Sequence, residues 1–203
     1  MNTTQLIVRK LLEKASWLEW SVQGLGMLRT YLSRETRLHV WHSAFKVPNV
    51  STIHDHPWDF ESRVIVGRIT NRVYGRDLSL DPSHTLARIK CGEGGGLIPG
   101  SEESLGLRLV SEETYTPGEM YDEIADVLHE SVPEDGTVTI VTRRFRRDTE
   151  HARVCYPIGT SWVSAEPRPA TADEIATGVK AALELPRLAF GEERRNARDQ
   201  TRA

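Results

Sequence analysis

His54 and His56 flank a single aspartate in the run "IHDHPWDFESRVIVG" at residues 53–67, and Glu61 and Gly67 follow at short intervals. Neutral imidazoles with a carboxylate are a ligand set for a first-row transition metal, not for calcium or magnesium, which take oxygen donors. In a strand, residues two apart face the same way and rise about 7 Å. His54 and His56 are therefore placed to reach one ion. The same alternation, continued past Pro57, puts Glu61, Arg63 and Ile65 on the inner side. His129, in "DVLHESVPEDGTVTIV", begins another strand-like run and supplies a third imidazole. The expected metal ligands are His54, His56, Glu61 and His129. Asp55 and Asp59 are candidates to hold imidazole N–H groups. Arg63 would fork onto a substrate carboxylate, and Tyr74 and Tyr121 would donate to bound oxygen. His39 and His42, in "RLHVWHS", are placed to line the same cavity, whereas His84 and His151 read as loop residues.

The elements that must carry these residues change character along the chain. Ile7, Leu11, Ala15, Leu18, Val22 and Leu25 recur at steps of three or four, which predicts a helix over residues 4–22, ended or kinked by Gly24 and Gly26. From Arg37 the runs are short and separated by turn formers such as "VPN", "DPS", "TPGE" and "PEDG". "RVIVGRITNRVY", "LGLRLV", "EETYT", "TVTIVTRRF" and "SWVSA" read as strands of an antiparallel sandwich or barrel. Gly67 supplies a tight turn between two of them. "CGEGGGLIPGSEE" is a glycine-rich loop with no phosphate-loop context. After Pro169 helical spacing returns, with Thr171 and Glu174 forming a capping-box pattern ahead of Ile175, Val179 and Leu183. The reading divides the chain into a helical appendage at 1–35, a barrel at 36–165, and a helix with a polar tail at 166–203.

Composition narrows the function. A net charge of −3 gives no bulk attraction to nucleic acid. "RRFRR" at 143–147 reads as a solvated strand end. Cys91 and Cys155 form no C-x-x-C pair, and no apolar run is long enough to cross a bilayer. No signal-peptide pattern opens the chain. A cytoplasmic protein with no nucleic-acid or membrane partner is the expectation.

The motif resembles the first signature of the cupin superfamily: His54-x-His56, four residues, Glu61, five residues, Gly67. Pro48 stands where that signature has glycine. The second signature is looser, with ten residues rather than two between Gly118 and His129. The resemblance covers roughly 37–165 and implies an all-β, double-stranded β-helix (jelly-roll) barrel, which relatives often pair into a homodimer. "IHDH" and the late Leu128-His129 are similar to the thiol dioxygenase branch, and that likeness implies His54, His56 and His129 as iron ligands. Glu61 occupies the place of that branch's cross-linking cysteine. Its Ser-x-His-x-Tyr strand falls on Thr139, Val141 and Arg143, which leaves no proton-handling triad. Its substrate arginine would correspond to Arg34 or Arg37. The expected function is a metal-dependent cupin, foremost an Fe(II) oxygenase of a small, polar, carboxylate-bearing molecule, with Mn, Ni, Cu or Zn as other metals. A metal-dependent isomerase or epimerase of a sugar-like compound and a non-catalytic metal or ligand binder are the alternatives.

Overall fold

The computed structural model describes residues 3–90, 96–146, 151–161 and 166–185. Two antiparallel sheets of seven strands make an all-β jelly roll with flanking helices. The first sheet contains β1 (Trp20–Gln23), β2 (Leu25–Tyr31), β3 (Thr36–Lys46), β5 (Trp58–Val66), β10 (Met120–Glu123), β12 (Val138–Arg146) and β14 (Arg168–Pro169). Their order is β10-β5-β12-β3-β2-β1-β14. The second contains β4 (Ile53–His54), β6 (Ile69–Arg76), β7 (His84–Lys90), β8 (Glu103–Leu105), β9 (Leu107–Tyr115), β11 (Leu128–Pro133) and β13 (His151–Pro157). Their order is β8-β7-β13-β4-β11-β6-β9. Helix α1 is Thr3–Ala15 and helix α2 spans 172–185.

Alternation along the strands builds two separate interiors. In the first sheet Leu28, Leu38, Val40 and Val138 face outward, beneath Val8 and Leu12 of α1 and Ala182 of α2. Met27, Trp41, Phe60, Val64 and Val141 face inward, toward the second sheet. The cap of α2 is as its sequence predicts: Glu174 N–H donates to Thr171 Oγ1 at 3.2 Å, and Thr171 N–H to Glu174 Oε2 at 2.9 Å. Gly67 is also as expected. It turns at φ 83°, and a side chain there would meet the Thr137 backbone at 2.7 Å and Leu185 of α2 at 2.7 Å.

The N-terminal helix is shorter than its periodicity predicts. It stops at Ala15, whose carbonyl accepts a hydrogen bond from Trp20 Nε1 at 3.0 Å. The buried face is Val8, Leu12 and Ala15, while Ile7 is exposed. Trp20 and Val22 then alternate on a strand, entering the outer interior beneath the helices. The four- and three-residue steps from Leu18 to Val22 and Leu25 match a helix only by coincidence. Residues 20–31 thus supply strands of the barrel sheet. Leu105 of "LGLRLV" ends β8, the rest of that run from Leu107 joins "EETY" in one continuous strand, β9, and His84 and His151 open strands rather than lying in loops. Cys91 with the start of its glycine-rich loop, most of "SWVSA", and the tail after 185 lie outside the described residues.

Candidate metal centre

His54 ends the two-residue strand β4 and sits directly across from His129 of β11. The chain then leaves the second sheet at 55–57 and enters the first at Trp58, so His56 projects from the crossing between them. The three rings meet edge to face, with centroids 4.8 Å (His54–His56), 4.9 Å (His54–His129) and 5.2 Å (His56–His129) apart. One nitrogen from each lies within 4.8 Å of the others, forming a group that could hold a metal ion. Bonds of about 2.1 Å to one ion require these nitrogens to close by roughly 1 Å.

A hydrogen bond on His54 and a close carboxylate beside His129 choose which nitrogen is free. His54 Nδ1 lies 2.9 Å from the Thr52 carbonyl, so it carries the proton and leaves Nε2 with a lone pair. His129 Nδ1 lies 3.2 Å from Glu123 Oε2, which also accepts from Asn71 Nδ2 at 2.8 Å. A carboxylate behind a ligating imidazole fixes its orientation and raises its basicity. His56 is held by rings: Trp58 stacks on it at 5.0 Å and Phe60 meets it at 5.4 Å. Burial, with His129 close by, pushes His54 down to about 3. Burial and the neighbouring His54 and His129 push His56 well below its ordinary value. Both rings are therefore neutral at neutral pH, as ligation demands.

The expected fourth ligand is elsewhere. Glu61 faces away from the histidines and pairs with Arg144, which also reaches Asp122 at 3.1 Å. Arg63 is exposed, with Nη2 3.2 Å from Met120 Sδ. The cause is the crossing between sheets: alternation does not carry through Pro57, and the inward residues of β5 are Phe60, Ser62 and Val64. Tyr74 also leaves the site, donating to Glu130 Oε2 at 3.1 Å and packing near Leu86 and Leu105. Tyr121 does line the cavity, opposite Ser62 on the neighbouring strand. Burial raises the pKa of its hydroxyl, against the opposing pull of its hydrogen bonds with Ser62 and Ser131. Neither predicted aspartate serves an imidazole. Asp55 accepts from Arg153 Nε at 2.5 Å, and Asp59 accepts from the Ala125 N–H at 2.7 Å.

The histidines open on a cavity of about 680 Å³ between the sheets. Its wall carries Arg29, Arg37, His39 and Arg143 from the first sheet, with Trp41 and Trp58. His42 faces the other way, 3.8 Å from Asp135. Arg34, whose side chain is 95% exposed, is not part of this wall. Glu123 was within reach of the alternation rule: once Tyr121 is inward, so is Glu123, two residues on. Arg143 was hidden inside a basic run, next to the exposed Arg144. No protein-family model matches the sequence, and no curated protein matches it.

Proposed function

We propose that this chain is a metal-dependent cupin, foremost a non-haem Fe(II) oxygenase of a small carboxylate-bearing molecule. The carrying observation is the set of three histidines with nitrogens within 4.8 Å of one another at the floor of a cavity. Three imidazoles leave positions open on an ion, and iron bound there would supply the electrons for dioxygen chemistry. The chain's own groups have distinct tasks. Glu123 orients His129. Arg37 binds the carboxylate, the role that Arg63 cannot fill from the surface. Tyr121 stays protonated at neutral pH and holds a donor hydrogen at the cavity wall, with Ser62 and Ser131 beside it. Phe60 and Trp58 keep water from the rings they touch.

Elemental analysis of protein purified without a metal-affinity tag tests the reading. One iron per chain, lost in His129→Ala, with oxygen uptake in the presence of carboxylate-bearing candidates, is the expected result. Zinc without oxygen uptake would favour the isomerase. A chain that retains no transition metal after reconstitution would overturn the metal-dependent reading.

A further inference from the structure

Arg29, Arg37 and Arg143 come from β2, β3 and β12, which are neighbours in the first sheet, and all three line the cavity. Two aromatic rings tie them together. Tyr31 lies 5.5 Å from the Arg29 guanidinium and 5.1 Å from that of Arg37. Trp58 lies 5.3 Å from Arg37 and 5.6 Å from Arg143. Trp58 also stacks on His56, so one indole separates the cations from the candidate metal ligands.

Their charge is poorly matched. Arg143 meets Glu35 at 3.2 Å and donates to the Arg34 carbonyl at 2.6 Å. Arg29 donates to Gln23 Oε1 at 3.3 Å, and Arg37 bonds with the Tyr31 hydroxyl. Among the described residues neither Arg29 nor Arg37 meets a carboxylate. The Nε atoms of both are buried without a hydrogen-bond partner, as are both ring nitrogens of His39 between them. Burial, and to a lesser degree the nearby Arg29 and Arg143, push Arg37 down to about 10. Like charges in a partly desolvated wall are unfavourable without a counter-anion. Among the described residues Glu35 is the one carboxylate that meets any of the three arginines. Of the other charged residues lining the cavity, Asp55 is held by Arg153 and Glu166 is matched in number by Lys90, which leaves two charges to be met.

We propose that the cavity takes a small ligand with a doubly charged oxyanion end, a phosphoryl group or a pair of carboxylates. Arg29, Arg37 and Arg143 grip that end while the rest of the ligand points toward the histidines. Guanidinium forks suit both groups, since each offers paired oxygens. The inference rests on reading the cavity as the ligand site, but it does not require the metal.

The test is calorimetric titration of chelator-treated full-length protein, at constant ionic strength, with inorganic phosphate, malonate and acetate. One dianion should bind at least about tenfold more tightly than acetate. A preference for phosphate identifies a phosphoryl end, and a preference for malonate a dicarboxylate. Arg37→Gln and Arg29→Gln should each weaken that binding about tenfold or more. Their melting temperatures in anion-free buffer should hold or rise, because a repelling charge has gone; a purely structural arginine would lower them. If a glutamine variant does not fold, Arg37→Lys and Arg29→Lys give the same reading, keeping charge but losing the fork. Acetate binding as tightly as both dianions, dianion binding unchanged in the variants, or no binding below about 10 mM would overturn the proposal. Metal content of the same preparation before chelation separates the two readings. Metal retained without dianion preference sinks this inference alone, and dianion preference without metal sinks the metal reading alone.

Discussion

The two faces of the first sheet are made by alternate residues of the same strands, yet they satisfy opposite demands. On β3, Leu38 and Val40 enter the outer interior and are fully buried under the helices. Their neighbours Arg37, His39 and Trp41 enter the cavity. The outer face is complete: aliphatic groups meet aliphatic groups, and Gly178 lets α2 approach so closely that an added side chain would lie 2.5 Å from Leu28 Cδ1. The inner face is incomplete. It buries donors on Arg29, Arg37 and His39 that nothing in the described chain accepts. Native interiors rarely leave such groups unpaired unless something else binds them. One face is thus built for stability, and the other, on the reading proposed above, gives up some stability for a ligand.

Substitutions can separate the two faces. Leu28→Ala on the outer face should have the largest effect, a loss of about 2–5 kcal/mol in denaturant unfolding. Metal bound per folded molecule should not change. A Leu28→Ala protein that loses metal while remaining folded would show that the faces are coupled. On the cavity side, Glu123→Gln should weaken metal binding about 10–100-fold in competition with a chelator, since it disturbs a ligand's orienting carboxylate. Its melting temperature in chelator should stay near that of the parent. His39→Leu removes two buried nitrogens that have no partner, so it should hold or raise stability by up to about 1 kcal/mol. A clear drop would mean that His39 is satisfied within the fold.

The smallest effect belongs to the helix that covers the outer face. Arg168, together with the Thr171 N–H, holds Glu174 down from 4.5 to about 2. Glu174→Ala should cost about 0.5 kcal/mol at neutral pH, a low value because the pair is solvated. A depressed carboxylate contributes fully above its unfolded pKa. The difference between parent and variant should therefore persist above pH 4.5 and fade toward pH 2. A difference that grows on acidification would contradict this pairing.

The three histidines are legible in the sequence because so few residue types ligate a metal, and because His129 opens a strand of its own. Glu61 and Arg63 are misread for one reason: alternation holds within a strand, and the chain changes sheets between His56 and Trp58. Glu123 is legible only through Tyr121, since a lone glutamate among many acidic residues carries no signal. The arginine wall as a group cannot be seen in sequence, although the resemblance points to Arg37 as one of two candidates. Arg29 lies beyond an over-extended helix, Arg37 is one of several arginines near the motif, and Arg143 sits in a charged run. Only the pairing of β2, β3 and β12 brings them side by side. Trp58 gains its meaning in the same way, by touching His56 on one hand and two of those arginines on the other.

The shortness of β4 has a consequence for the order in which the molecule is made. This strand has two residues, and its neighbours in the sheet, β11 and β13, both lie far along the chain. Asp55, just after it, is held by Arg153, 98 residues later. On a growing chain His54 and His56 leave the ribosome with nothing to pair against, and such long-range contacts form slowly because the intervening loop must first close. Assembly of the three rings is therefore tied to completion of the second sheet, and a nascent or partly folded chain has not yet gathered the group that could hold an ion.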